Sequence, residues 1–397
     1  MSKTSGINNI LILAGDTEGN LGDRAILQSI CNELLSVKPE LQISLIAKKT
    51  NPLSAMQGIH AVRPGLRGFF QLIHAAKHAD IILCGGGGLF QDDDSLIKMP
   101  YWALRVLLVR LFCNNIIGYS LGVGPLAAPT SRLFARLAFS CMQHISTRDP
   151  IARDTAQNLT RKTVTIVPDP AILLPSLSAQ QAKDFLAAQG TKDLNKTLIG
   201  VAVRRWFPAK PRLIPNRVSA KFRNKDKTAV EQSERLCSLY ARVLDQLVLK
   251  HNAYIIFMPT YNVSHESDDK LCLDIQQRMK TDAGKILHID TPELYKAVSS
   301  QLSVLLCGRM HPSIFAAASG APVVGLAYNP KFHGFFSLLD LEDYVMDVGD
   351  FVNLGLIDEL TELTSMALTK KIDTSKQIDK LKNDVHSFNR MILGVEP

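Results

Sequence analysis

The chain alternates short unbroken apolar runs with longer stretches whose apolar residues recur every three or four positions. The runs are rich in Val, Ile and Leu, the mark of strands buried on both faces, and the stretches between them have the helical period. In the first half the pattern predicts strands at Ile10–Ala14, Gln42–Ala47, Ala61–Val62, Ile81–Cys84, Ile116–Leu121, His144–Ser146 and Val164–Val167. The helices between them are Arg24–Ser36, Phe69–His78, Tyr101–Phe112, about Ser131–Met142 and a short one after Asp149. A polar, helix-forming segment, Ser176–Lys196, reads as a connector. The second series then runs strand Thr197–Val203, helix Ala229–Lys250, strand Ala253–Met258, helix Glu266–Lys280, strand Lys285–Ile289 and helix Pro292–Ser300. It continues through strand Ser303–Cys307, helix Pro312–Ala318 and strand Pro322–Leu326, and helices Asn353–Leu368 and about Thr374–Met391 close the chain. Repeated strand–helix units imply an α/β protein with parallel, doubly wound sheets.

The expected organisation is a Rossmann-like domain over 1–175, a connector over 176–196, a second Rossmann-like domain over 197–372 and a C-terminal helix over 373–397. Two such halves, with a last helix able to cross back to the first, are similar to the glycosyltransferase-B arrangement.

Composition narrows the class without deciding it. At 397 residues and 46% hydrophobic, the chain has ample material for two cores. Seven scattered cysteines without a CxxC pair read as buried thiols in a reducing compartment. MSKTSGINN runs straight into a strand without a secretory pattern, so the expected location is cytoplasmic. Tyr101–Phe112 is apolar, but it is too short to span a bilayer and carries Arg105 and Arg110, so it reads as a packed helix. The net charge of +8 favours acidic partners, whether phosphorylated small molecules, acidic glycans, an anionic membrane face or nucleic acid.

Every strong chemical signal lies at the carboxyl end of a predicted strand, where open α/β sheets bind ligands. In Gly15–Asp23, Asn20 and Asp23 could hydrogen-bond sugar hydroxyls, or Asp23 could simply cap the helix. In the run Gly85–Gly88, Gly86 and Gly87 suit close approach of a ligand, or a tight turn. Asp92, Asp93 and Asp94 could hold Mg²⁺ or form a solvated loop; with no matching His or carboxylate motif, no metal is expected. Arg148 is either an anion clamp or half of an ion pair with an aspartate. Arg204 ends the first strand of the second half. The segment from there to 227, with Lys210, Arg212, Arg217, Lys221, Arg223, Trp206 and Phe222, could meet an acidic acceptor, an anionic membrane or a single strand of nucleic acid, or be a solvated basic loop. Arg309 and His311 sit between a strand and a helix N-terminus, a fixed positive charge beside a titratable imidazole, which points to acid/base work on an anion, unless His311 is simply a satisfied core histidine. Tyr328, Asn329 and Lys331 at the next strand end could complete a polar wall.

Taken in order, the GN-x-GD after the first strand, GGGGLF, GVGP, STRD, PDP and an R-x-H before an alanine-rich helix resemble the polysaccharide pyruvyl transferase family. The motifs span about residues 10–331. The resemblance implies a glycosyltransferase-B-like fold and transfer of a pyruvyl group from phosphoenolpyruvate to a sugar diol of a cell-surface glycan or its lipid-linked precursor. The product would be a cyclic ketal, as in exopolysaccharide and cell-envelope biosynthesis. It puts the acceptor on the first half and phosphoenolpyruvate on the second. His311, Arg309 and Arg148 become the catalytic residues, and Asn20, Asp23, Gly86, Gly87, Arg204, Tyr328 and Asn329 the substrate-binding ones. Phosphoenolpyruvate would be a co-substrate, with no cofactor. Met310 stands where Leu is usual in the family, and the basic insert after Arg205 is long for it. Partners beyond the two substrates would be limited to peripheral contact with an anionic membrane through 204–227, and no nucleic acid is expected. Two other readings are a nucleotide-sugar glycosyltransferase on the same fold, with Glu293 as its ribose ligand, and a non-catalytic module binding acidic glycan or nucleic acid.

Overall fold

The computed structural model describes residues 6–15, 20–48, 52–93, 95–191, 196–206, 227–263, 266–370 and 372–395. The tip of the first loop, Asp94 and most of the basic segment after Trp206 therefore lie outside the described residues. The chain divides into two compact units, one built from Met1–Leu173 together with Lys380–Pro397, the other running from Leu174 to Asp379 among the described residues.

In the first unit seven parallel strands form one sheet: β1 (Asn9–Leu13), β2 (Gln42–Ile46), β3 (Ile59–Val62), β4 (Ile81–Phe90), β5 (Ile116–Val123), β6 (His144–Thr147) and β7 (Val164–Ile166). Their spatial order is β3-β2-β1-β4-β5-β6-β7. The connecting helices are α1 (Leu21–Val37), α2 (Phe69–His78), α3 (Lys98–Arg110), α4 (Pro129–Cys141) and α5 (Pro150–Gln157). The order reverses between β1 and β4, so the crevice beyond the carboxyl ends of those two strands is the natural ligand position.

The second unit repeats this plan. It begins with α6 (Ala179–Ala188), within the expected connector, which packs on α9 (Pro292–Ser299). The sheet holds β8 (Thr197–Ala202), β9 (Ala253–Phe257), β12 (Gly284–Ile286), β13 (Val304–Cys307), β14 (Val323–Ala327) and β15 (Val345–Asp347), in the order β12-β9-β8-β13-β14-β15. Its helices include α7 (Lys227–His251), α8 (Asp268–Gln276), α10 (Met310–Ala318), α11 (Lys331–Leu338) and α12 (Ile357–Thr369). A two-stranded hairpin, β10 (Asn262–Val263) and β11 (Glu266–Ser267), precedes α8, and its second strand takes the first two residues of the predicted helix Glu266–Lys280. Here the strand order reverses between β8 and β13.

The last helix, α13 (Ser375–Ile392), begins with the second unit and from Lys380 belongs to the first. Leu381, Val385, Phe388 and Ile392 are buried at helical spacing. The Phe388 ring lies 5.4 Å from Tyr119 and 5.3 Å from His144. The Tyr119 hydroxyl donates to Asn389 Oδ1 at 2.7 Å, and His386 Nδ1 meets Glu33 Oε2 at 2.6 Å.

One strand departs from its predicted end. β4 does not stop at Cys84 but runs through all four glycines to Phe90, pairing with β5 at Gly85↔Tyr119 and Gly87↔Leu121 before its register shifts. A side chain at Gly85 would place Cβ 1.8 Å from the Tyr119 carbonyl oxygen, and one at Gly86 would meet Ile26 of α1 at 2.6 Å. Close packing within the sheet, rather than a turn, therefore explains much of this run.

Candidate functional site

At the reversal of the first sheet, Asn20 caps α1 by accepting from the Gly22 amide at 2.9 Å, and its Nδ2 donates to Asp23 Oδ2 at 3.3 Å. The carboxylate of Asp23 faces the backbone of β4. A Cβ on Gly87, whose φ is +115°, would lie 3.2 Å from Asp23 Oδ1, and one on Gly15 3.6 Å from Asp23 Oδ2. The structure thus brings Asn20, Asp23 and Gly87 together, with Gly86 filled from behind by Ile26. Asp23 is in the first turn of α1, but the cap is Asn20.

Arg148 lies nearby but inside the protein. Its side chain is 3% exposed, with Nη1 3.2 Å from Asp169 Oδ2 and Nε 3.7 Å from Asp149 Oδ2. The S-T-R-D and P-D-P motifs are thereby joined. Asp169 Oδ1 also accepts from the Ala171 amide, Asp149 caps α5 through the Ala152 amide, and the Ser120 hydroxyl donates to the Pro168 carbonyl. The guanidinium supports the strand-end backbone from below: a Cβ on Gly122 would meet Arg148 Nη2 at 3.1 Å and the Gly87 carbonyl at 3.0 Å. Two carboxylates flank its single charge, so losing one still leaves it paired; losing the arginine would leave two buried carboxylates without their cation, and an uncompensated buried charge costs about 3–5 kcal/mol. Asp92 is wholly buried and accepts from the Ala127 and Ala128 amides, both at 2.9 Å, so it ties down the loop after β5. Among the described residues no group of three or more His, Cys, Asp or Glu could hold a metal ion.

The second unit gathers cations. Register sets Ala202 of β8 beside Cys307 of β13, and Cys307 beside Gly325 of β14. Arg204, Arg309 and Tyr328 each follow two or three residues later, at three adjacent strand ends on the reversal. Glycine at 308 eases the close approach of β8 there, since a Cβ would come 3.3 Å from the Arg204 amide nitrogen. The Arg204 guanidinium stacks 3.8 Å from the centre of the Tyr328 ring, and Lys331 Nζ lies 4.8 Å from the same ring. Burial alone would push the Tyr328 phenol up, but Arg204 and Lys331, with Arg309 beyond them, outweigh it and hold the phenol below its ordinary value. Asn329 is buried, and its Oδ1 accepts from the Lys331 amide at 3.1 Å, shaping the turn into α11.

Arg309 is the N-cap of α10, and its extended backbone (φ −127°) turns the chain from β13 into the helix. Its Nη2 donates to Asp268 Oδ1 at 2.5 Å, and its guanidinium lies 5.2 Å from the Tyr261 ring centre. His311, half-buried in the first turn of α10, has its ring 6.3 Å from Phe315 one turn on. Pro312 is also in that first turn, where its missing N–H is no loss.

Asp268 is the residue that sequence reasoning missed. It is 1% exposed, and its Oδ2 accepts from the Thr260 and Tyr261 amides at 3.2 and 3.0 Å. The same carboxylate therefore shapes the MPTY loop after β9 and orients Arg309. Its only trace in the sequence is a polar S-D-D at a helix start, which looks like ordinary capping. The resulting constellation offers a rigid guanidinium, two further cations, a phenol and an imidazole beside a helix N-terminus. It can bind a multiply charged anion and move a proton.

Comparison with solved structures shows the fold. UDP-GlcNAc 2-epimerase from Methanocaldococcus jannaschii is 10% identical, with a TM-score of 0.61, over 97% of this chain and 99% of that one. The Neisseria meningitidis UDP-GlcNAc 2-epimerase bound to UDP-GlcNAc is 12% identical, with a TM-score of 0.60, over 97% and 100%. Anabaena HepE in complex with UDP and glucose is 11% identical, with a TM-score of 0.58, over 97% and 99%. The chain is thus an α/β protein of the glycosyltransferase-B-like class, with two parallel sheets. No curated protein sequence matches it. The sequence profile of the polysaccharide pyruvyl transferase family matches residues 20–330, which include every residue of both constellations except Lys331, and the chain belongs to that family.

Proposed function

We propose that the protein transfers a pyruvyl group from phosphoenolpyruvate to a sugar diol of a cell-surface glycan or its lipid-linked precursor, forming a cyclic ketal and releasing phosphate. Family membership makes it a polysaccharide-modifying transferase; the donor, the acceptor and the residue roles are our reading. The observation that carries it is the cluster of Arg204, Arg309 and Lys331 around Tyr328 at the strand-order reversal of the second sheet, with His311 in the adjoining helix turn. Phosphoenolpyruvate carries a phosphate and a carboxylate, and guanidinium groups match both bidentately.

In this scheme His311, protonated, gives its proton to C3 of the enol. C2 becomes electrophilic and one sugar hydroxyl adds to it, returning a proton to His311. The C2–O bond to phosphate then breaks, and the second hydroxyl adds to C2 as its proton leaves with phosphate. One phosphoenolpyruvate and one diol thus yield one ketal and one hydrogen phosphate. Arg309 and Arg204 anchor the donor's anionic groups and Lys331 adds charge. Asn20 and Asp23 are the hydroxyl ligands of the first unit, beside the backbone at Gly86 and Gly87. Arg148, already matched by Asp149 and Asp169, holds that backbone in place. The scheme asks for no cofactor.

The test is phosphate release from phosphoenolpyruvate with a panel of lipid-linked and nucleotide-linked glycans. Positioned acid catalysis contributes about 10²–10⁴-fold, so His311→Gln is expected to lose kcat by that factor while remaining folded. Activity near wild type in that variant would remove His311 from the mechanism. A nucleotide-sugar donor, such as the UDP-GlcNAc held by the Neisseria epimerase, would instead show as thermal stabilisation by UDP-sugars and none by phosphoenolpyruvate.

A further inference from the structure

Helix α3 is apolar on two sides. Met99, Trp102, Ala103, Val106 and Val109 are buried in the core of the first unit. On the other side Ile97, Tyr101, Leu104, Leu108 and Leu111 recur at the three- and four-residue spacing of a single helical face. Most of that face is uncovered: Leu104 is 58% and Leu111 76% exposed, while Leu108 is half-buried against the core of the first unit. Neighbouring α4 adds Leu133, 54% exposed, and Leu137. The rim is cationic. The Arg105 guanidinium lies 4.4 Å from the Tyr101 ring centre, Lys77 of α2 lies 5.4 Å from the Phe112 ring, and Arg110, Arg132 and Arg136 complete it. From Ser95 to Arg148 the chain contains no Asp or Glu.

We propose that this face of α3, with the arginines of α4, docks the protein onto an anionic lipid bilayer. Apolar side chains at helical spacing, with Lys and Arg as the charged residues of the two helices, are what an interfacial helix presents to headgroups and acyl chains; Asp80 is the acid that approaches the end of the helix. The contact is peripheral: thirteen residues rise only about 20 Å, against a hydrocarbon core of about 30 Å. No described helix is long and apolar enough to cross a membrane. A second copy of the chain fits this face poorly. A two-fold interface would bring two copies of the same arginine-bearing surface together, with no acid in the segment to offset the like charges. The proposal is independent of the donor substrate, and it rests on different residues from the basic segment after Trp206.

Flotation of the full chain with phosphatidylcholine vesicles, with and without phosphatidylglycerol, tests it. The expected result is binding only when phosphatidylglycerol is present, weakened by salt. Leu104→Ser with Leu111→Ser should abolish binding, and Arg105→Gln and Arg110→Gln should each weaken it about fivefold, the equivalent of ~1 kcal/mol per charge. All four positions are at least partly exposed, so circular dichroism and Tm should stay at wild-type values. Unchanged binding in the leucine variant overturns the proposal. So does binding that responds only to neutralising Lys210, Arg212 and Arg217. Absence of vesicle binding alongside a dimer that the leucine variant dissociates in sedimentation velocity would also overturn it, and would assign the face to self-association.

Discussion

Replacing Asp268 by Asn tests whether one buried carboxylate sets up the anion site. The substitution keeps the shape but leaves a single acceptor oxygen. With that oxygen toward the Thr260 and Tyr261 amides, the new NH₂ confronts the Arg309 guanidinium, donor against donor. Turned the other way, both amides lose their acceptor. The site is 1% exposed, so water has little access to the gap. A hydrogen bond involving a charged group contributes about 1.5–3 kcal/mol, and that is the stability loss expected in urea unfolding. If Arg309 anchors the donor, the same loss should also appear in kcat/KM for phosphoenolpyruvate as roughly a 10- to 150-fold drop, carried mainly by KM. Steady-state phosphate release at varied phosphoenolpyruvate measures it. A stability loss with KM unchanged would make Asp268 a loop-shaping residue alone, and wild-type values in both assays would refute the electrostatic argument altogether.

Two further outcomes follow from the charge environment. Tyr328 should ionise below pH about 10, ahead of Tyr119, Tyr240 and Tyr295, which burial pushes up. Tyr328→Phe should therefore remove one phenolate from the absorbance that develops below that pH in a native-state titration, and an unchanged amplitude there would contradict the stacking with Arg204. His144, half-buried with its ring bonded to the Thr165 hydroxyl at 3.0 Å, is held below its ordinary value by desolvation. Its neutral form is the folded one, so the unfolded chain takes up the proton first. Its contribution is complete above pH about 6.5 and is lost as pH falls from there through the depressed folded value. Urea midpoints measured on both sides of that pH should show the slope, and His144→Gln should flatten it.

Most strands were readable because parallel strands covered on both faces leave unbroken Val, Ile and Leu runs, and Phe69–His78 is found with its predicted bounds. β4 was read short because glycine carries no hydrophobic signal, although its missing Cβ is what lets β4 lie against Tyr119 and α1. α11 and β15 leave no clear pattern in the sequence. α11 is Phe-rich and lacks a clean polar face, and β15 is three residues long. Arg309, His311 and Arg204 were legible because strand-end position depends only on local pattern. Asp268 was not, since its partner lies 41 positions away and only the fold brings them together. Arg148 was legible as an arginine beside an aspartate, but its pairing with Asp169 needed β6 and β7 side by side.

The return of α13 to the first unit has a consequence for biosynthesis. Tyr119, His144 and Glu33 receive their partners from residues 386–389. A ribosome therefore makes the whole second unit before it releases the segment that completes the first core. Domains usually finish in the order they emerge. Here the first sheet waits, with the apolar surface that Val385, Phe388 and Ile392 will cover still exposed to chaperones, until the helix that follows the second unit has been made.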